Sequence, residues 1–191
     1  MKNLKSILYP AALLAIFSFA SCDSDDDNDN NGSNFLSSYL SQTGFDEANE
    51  SVVDDGPYEF GVLFHVTADG NMETIRVKIP QTTSDLRITV WNVDTATPIR
   101  TETVDVTADE SKTLNIDDLA LTANTDYAIT MNADSYYYHD QEDGGVANYP
   151  ITVGDVVIDG YAFASGTDQL LPLNMATDYY AGDLSFTFDA D

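Results

Sequence analysis

Along most of this chain apolar residues recur at every second position. Phe60, Val62, Phe64 and Val66 alternate with Glu59, Gly61, Leu63 and His65, Ile75, Val77 and Ile79 with Arg76 and Lys78, and Leu86, Ile88 and Val90 with Arg87, Thr89 and Trp91. A period of two is that of half-buried antiparallel strands, one face in a core and the other toward water. It continues through residues 101–106, 112–116, 126–132, 149–153, 156–158, 161–163 and 184–188. Turn chemistry separates these runs at residues 54–57 (Asp-Asp-Gly-Pro), 69–71 (Asp-Gly-Asn), 80–85, 108–111 and 117–118 (Asp-Asp). Only Phe35, Leu36, Tyr39 and Leu40 are spaced for a helix, with Ser33 or Asn34 to cap it and Gly44 to end it. About nine short strands with almost no helical periodicity predict an all-β fold, a two-sheet antiparallel β-sandwich of immunoglobulin-like or jelly-roll-like form. The sandwich is expected over residues 51–191 and a short helix or arm over 35–50.

The N-terminal segment follows different rules. A basic start (Lys2, Lys5) leads into an apolar run over residues 7–20, too short for a stable span, which ends in the small residues Ala20 and Ser21 before Cys22. Residues 1–21 are therefore expected to be a removable signal. Cys22 is the one cysteine of the sequence, so no internal disulfide can form. Ala20-Ser21-Cys22 resembles the lipobox of bacterial lipoproteins, with Phe19 where Leu is usual. The resemblance implies that Cys22 becomes the lipidated N-terminus. Ser24-Asp25-Asp26-Asp27 resembles the acidic export tag of surface lipoproteins in the Bacteroidota. It implies an outer-membrane protein facing the outside of the cell. Residues 22–34 hold no other apolar group and read as a self-repelling, flexible tether.

Charge then narrows the partners. The chain carries 33 acidic and 7 basic residues, a formal charge of −26, which becomes −28 when the signal leaves with Lys2 and Lys5. Such a balance repels polynucleotides, and a nucleic-acid partner is excluded. The expected partners are the membrane, through the N-terminal lipid, and a glycan or a surface protein.

A further set of short motifs occurs in a distinctive order: residues 58–64 (Tyr-Glu-Phe-Gly-Val-Leu-Phe), Gly70 followed by Ile75, Val90-Trp91, residues 121–127 (Leu-Thr-Ala-Asn-Thr-Asp-Tyr), Tyr137-Tyr138 and residues 182–187 (Gly-Asp-Leu-Ser-Phe-Thr). Over roughly residues 51–189 this resembles a bacterial family of unknown function. Its members look like β-sandwich modules appended to secreted glycoside hydrolases and cell-surface proteins. The resemblance implies fold and setting, and supplies no catalytic residues.

Candidate chemistry is sparse. His65 and His139 have no partner at metal-ligand spacing in the sequence, no Gly-x-Ser-x-Gly elbow is present, and nothing suggests a catalytic barrel or deep cleft. The expectation is a non-enzyme without a resident cofactor. Aromatic positions carry more. Trp91 falls on the face opposite Leu86, Ile88 and Val90, where it is either a platform for a sugar ring or covered by a loop or by the arm. Residues 134–145 combine Tyr136, Tyr137 and Tyr138 with His139 and an acidic, glycine-bearing loop. Tyr136, Tyr138 and His139 are candidate ligand contacts, and Asp140, Glu142 and Asp143 are candidate oxygen ligands for Ca²⁺. The alternative is an ordinary edge strand and solvated turn. Tyr179-Tyr180 is a second aromatic pair with the same two readings. The sequence thus points to a displayed module binding an extracellular ligand such as a glycan, with a structural or adhesive spacer or partner-docking module as the alternative and a glycoside-active enzyme as a third reading.

Overall fold

A computed structural model describes residues 34–45, 51–141 and 143–191, with Ser51 described through its backbone alone. Cys22, the 24–27 tag and Glu142 lie outside the described residues. Among the described residues one short helix, α1 (Leu36–Thr43), precedes eleven strands: β1 (Ser51–Val66), β2 (Gly70–Lys78), β3 (Thr83–Asn92), β4 (Thr97–Val106), β5 (Lys112–Leu121), β6 (Tyr127–Asp140), β7 (Ile151–Val153), β8 (Val156–Ser165), β9 (Asn174–Ala176), β10 (Tyr179–Ala181) and β11 (Asp183–Ala190).

The strands form two antiparallel sheets. The larger runs β4-β3-β6-β1-β8-β7, with β10 on the far half of β6 and β9 on β8, and the smaller runs β11-β2-β5. The chain passes repeatedly between sheets, and the core is what lies between them. Phe60, Val62, Phe64 and Val66 of β1, with Leu86, Ile88 and Val90 of β3, face Met72, Ile75 and Val77 of β2 and Leu184, Phe186 and Phe188 of β11, and all are buried. The period-two pattern thus identified the inner face of each sheet.

Two predicted turns are bulges instead. The Asp54–Pro57 signal lies inside β1, where the register with β6 shifts between Asp54 and Tyr58. Likewise β5 continues through Asp117 and Asp118, and its register with β2 shifts between Met72 and Thr74. In each, three residues of one strand oppose one of its partner, so two are left unpaired and the chain bends, and the same turn chemistry serves both outcomes. Residues 156–158 and 161–163 are one strand, β8, with a shift opposite Leu63 and Phe64.

The arm is part of the core. Gly44 ends α1 at φ 77°, a left-handed conformation that favours glycine, and Asn34 Oδ1 accepts the Leu36 N–H at 3.0 Å. Phe35 and Tyr39 are fully buried. The Phe35 ring lies 5.1 Å from Phe186, and Tyr39 lies 5.2 Å from Tyr180. The Tyr39 hydroxyl shares a 2.6 Å hydrogen bond with Tyr149. Gly182, at φ 82°, is the crossing point from β10 in the large sheet to β11 in the small one. A Cβ there would stand 2.2 Å from Met131 Cε and 2.4 Å from the Phe60 ring, so only glycine fits without repacking.

Candidate functional site: an aromatic groove

The long strands β1 and β6 extend past the end of β3, and β10 takes the free half of β6, pairing Tyr179 with Asp140 and Ala181 with Tyr138. A groove of about 300 Å³ opens where these strands meet β8. Tyr58 and Phe60 come from β1, Tyr136 and Tyr138 from β6, Tyr161 and Phe163 from β8, and Tyr179 from β10. Tyr161 and Phe60 are buried in its floor, while Tyr58, Tyr136, Tyr138, Phe163 and Tyr179 are half-buried. The Tyr138 and Tyr179 rings stack at 4.9 Å and 24°. Tyr161 and Phe163 meet Tyr179 at 5.4 and 6.2 Å, and Tyr58 meets Tyr136 edge-on at 6.3 Å. These are the offset and edge-to-face arrangements that aromatic quadrupoles prefer.

Carboxylates flank the rings. The Tyr136 hydroxyl donates to Asp55 Oδ1 at 2.9 Å. Burial, then Asp55 as hydrogen-bond acceptor and negative charge, holds the Tyr136 phenol well above its ordinary range. Burial raises Tyr138, with Asp140 and Asp178 acting in the same direction. Tyr179 is pushed up to about 12 by burial first, then by Tyr138, Asp178, Tyr58 and Asp55. At physiological pH the groove is therefore lined by neutral phenols that can donate or accept hydrogen bonds.

Other candidate residues lie elsewhere. His139 is buried on the opposite side of β6, its Nε2 2.9 Å from Asp183 Oδ1 and its ring beside Tyr180. It is not a groove contact, because alternation along β6 sends it to the face opposite Tyr138. Tyr180 is likewise buried, its hydroxyl donating to the Leu184 carbonyl at 3.1 Å. Asp140 ends β6 beside the groove and Asp143 is exposed in the turn that follows.

Trp91 does point away from the inter-sheet core, yet it is 2 % exposed and offers no sugar platform. Its Nε1 donates to Thr130 Oγ1 at 2.8 Å, and Thr130 donates to Glu59 Oε1 at 2.5 Å. Glu59 Oε2 then pairs with Arg87 Nη2 at 2.7 Å. The segment after β8 is strapped over this face. Arg87 donates to the Thr167 carbonyl, Asn132 to the Gly166 carbonyl, and Gln169 to Thr89 and Thr101. Of the two covers predicted as alternatives, the loop is the one tied across this face, while the arm packs on β10 and β11.

Two further features come from residues distant in sequence. A polar cavity of about 530 Å³ lies between α1 and the segment before β7, lined by Gln42, Gln141, Asn148 and Thr152 among others. It is larger than the groove, but it presents no aromatic ring, so it lacks the surface on which a sugar face stacks. His65, Asp126 and Asp159 place donor atoms within 4.8 Å of one another, with His65 Nδ1 2.8 Å from Asp159 Oδ2. Spacing along the chain concealed this cluster, since its members come from β1, the loop before β6, and β8.

No curated protein matches the sequence. A model of a domain of unknown function, DUF4082, matches residues 45–181, and by that match the chain belongs to the DUF4082 family.

Proposed function

We propose that this domain is a non-catalytic glycan-binding module, carried on the outer surface of the cell by a lipid on Cys22 and the acidic tether behind it. The observation that carries the reading is the stacked Tyr138–Tyr179 pair in a groove of about 300 Å³. A pyranose presents an apolar C–H face and an equatorial belt of hydroxyls. Half-exposed aromatic rings receive the first, and phenols and carboxylates at the rim receive the second. The lipobox-like Ala20-Ser21-Cys22 and the Ser24–Asp27 tag support the display, and the module-like family resemblance supports the setting. A lipid chain contributes about 0.8 kcal/mol per buried methylene, so more than one chain anchors a protein stably.

The test is a glycan array read with the wild-type chain and a Tyr138→Ala, Tyr179→Ala variant, folding being checked by the buried-tryptophan fluorescence of Trp91. Binding by wild type that the variant loses supports the reading. Absence of binding by both, with the fold intact, overturns it.

A partner-docking role is favoured by a separate observation. Leu170, Leu173 and Met175 are 61, 81 and 50 % exposed along one short segment, an apolar patch of the kind that marks protein contacts. It predicts that Leu173→Asp abolishes a protein association while groove variants leave that association untouched.

A further inference from the structure

The strands that build the groove contain no lysine or arginine, and of their two histidines His139 faces away from the groove and His65 pairs with Asp159. The described chain has five lysines and arginines, Arg76 and Lys78 on β2, Arg87 on β3, Arg100 on β4 and Lys112 on β5, and none lies on β1, β6, β8 or β10. Arg87 is paired with Glu59, Arg100 with Glu102, and Lys78 lies over the Tyr137 ring. One carboxylate, Asp55, lines the groove, and two more, Asp140 and Asp178, act on its Tyr138 ring from segments other than that of Asp55. Asp55 sits in the β1 bulge against Tyr136, Asp140 lies opposite Tyr179 in the β6–β10 ladder, and Asp178 immediately precedes Tyr179. One anion thus lines a pocket of neutral rings and two more stand beside its Tyr138–Tyr179 pair, with no lysine or arginine on the same strands.

This arrangement discriminates among sugars. A uronic or sialic acid would bring a fourth anion to the rim. A neutral hexose would use the rings and some oxygens but leave the mutual repulsion of the carboxylates in place. An ammonium group relieves that repulsion, and two terms favour it. Each carboxylate attracts the ammonium across the exposed rim, and the negative face of a tyrosine ring attracts it as well. We propose that the ligand of this groove is a sugar bearing a free amine, such as an oligosaccharide of unacetylated glucosamine, held by Asp55, Asp140 and Asp178 around the stacked Tyr138 and Tyr179. The proposal rests on the glycan-binding reading and specifies its ligand class.

Titration calorimetry on the full chain at physiological salt, with the protein first stripped of divalent ions, compares the trisaccharides of glucosamine, N-acetylglucosamine, glucose and galacturonic acid. Glucosamine is expected to bind about tenfold more tightly than its acetylated form, the preference falling as pH rises and the amine is neutralised. An Asp140→Asn, Asp178→Asn variant should lose the preference and keep a residual ring-dependent affinity. Because the whole chain is acidic, an Asp117→Asn, Asp118→Asn variant on β5 is the control, and it should keep the full preference. Equal loss in the control means nonspecific attraction and overturns the proposal. Tighter binding of the neutral or acidic trisaccharides, or neutral-sugar binding that appears only on adding Ca²⁺, overturns the amine preference and leaves glycan binding standing. No binding of any trisaccharide by a folded chain overturns both.

Discussion

Tyr138 and Tyr179 differ from the other paired aromatics in how much of each ring remains open. Tyr39, Tyr161 and Tyr180 are at most 1 % exposed, whereas Tyr138 and Tyr179 are half-buried and stack on each other at 4.9 Å. Replacing Tyr138 by alanine should therefore cost little stability, within about 1 kcal/mol in denaturant unfolding. It should cost most of the ligand affinity, at least about tenfold by calorimetry, by analogy with ligand stacking on aromatic rings in nucleic-acid sites, worth about 1–3 kcal/mol per ring. The opposite split is expected at Glu59. Its carboxylate is 1 % exposed and holds both Arg87 and, through Thr130, the indole of Trp91. A Glu59→Ala variant leaves the Arg87 guanidinium without its carboxylate beneath a strapped loop, and should lose about 3 kcal/mol with groove affinity preserved in whatever fraction folds. Affinity lost in Tyr138→Ala together with several kcal/mol of stability would mean that the ring is structural.

At the scale of elements, α1 shows how a short segment that cannot be a stable helix alone becomes one by packing. Eight residues are too few to hold a helix in water. Phe35 and Tyr39 tie it to β11 and β10, and Thr43 returns its hydroxyl to the Tyr39 carbonyl. A Phe35→Ala change is expected to cost about 3–5 kcal/mol in denaturant unfolding, as a large ring leaves a closed site. A cost under about 1 kcal/mol would show the arm to be dispensable. This helix was legible from the spacing of four residues and one glycine, and the inner sheet faces were legible from alternation. The outer-face coverage was not, because a period of two assigns Trp91 to a face without saying what crosses it. The bulges were not, because Asp-Asp-Gly-Pro suits a turn and a bulge equally. The groove was half legible. Adjacent tyrosines on a strand must go to opposite faces, so one of Tyr179 and Tyr180 had to leave the inter-sheet core, but which one depends on where β10 pairs. That Tyr58, Tyr138, Phe163 and Tyr179 converge follows from the β10–β6–β1–β8 order, a long-range pairing that no local pattern encodes.

The whole molecule combines two features that both oppose alkaline conditions, and they can be separated. The chain is strongly acidic, at −26 before any processing, and self-repulsion of that kind already weakens the compact state at neutral pH. Added salt should therefore raise the melting temperature there by screening exposed charges. The second feature is the buried tyrosine cluster. Burial raises the phenols of Tyr39, Tyr149, Tyr161 and Tyr180, and Tyr179 is pushed up to about 12. In the unfolded chain the same phenols ionise near their ordinary value of 10.0. Above that pH the unfolded state sheds protons that the folded state keeps. The unfolded state then binds fewer protons, and stability falls as pH rises. The contribution is complete below pH 10 and is lost progressively through pH 12 and beyond. The melting temperature should stay nearly level between pH 8 and 10 and then drop steeply, with phenolate absorbance appearing together with the loss of structure rather than before it. High salt separates the causes. It should lift the whole profile where repulsion dominates, yet leave the onset of the steep fall near pH 10, because that onset is set by the ordinary phenol value of the unfolded chain. A fall that salt moves to much higher pH would assign alkaline instability to charge repulsion and remove the tyrosine cluster from the explanation.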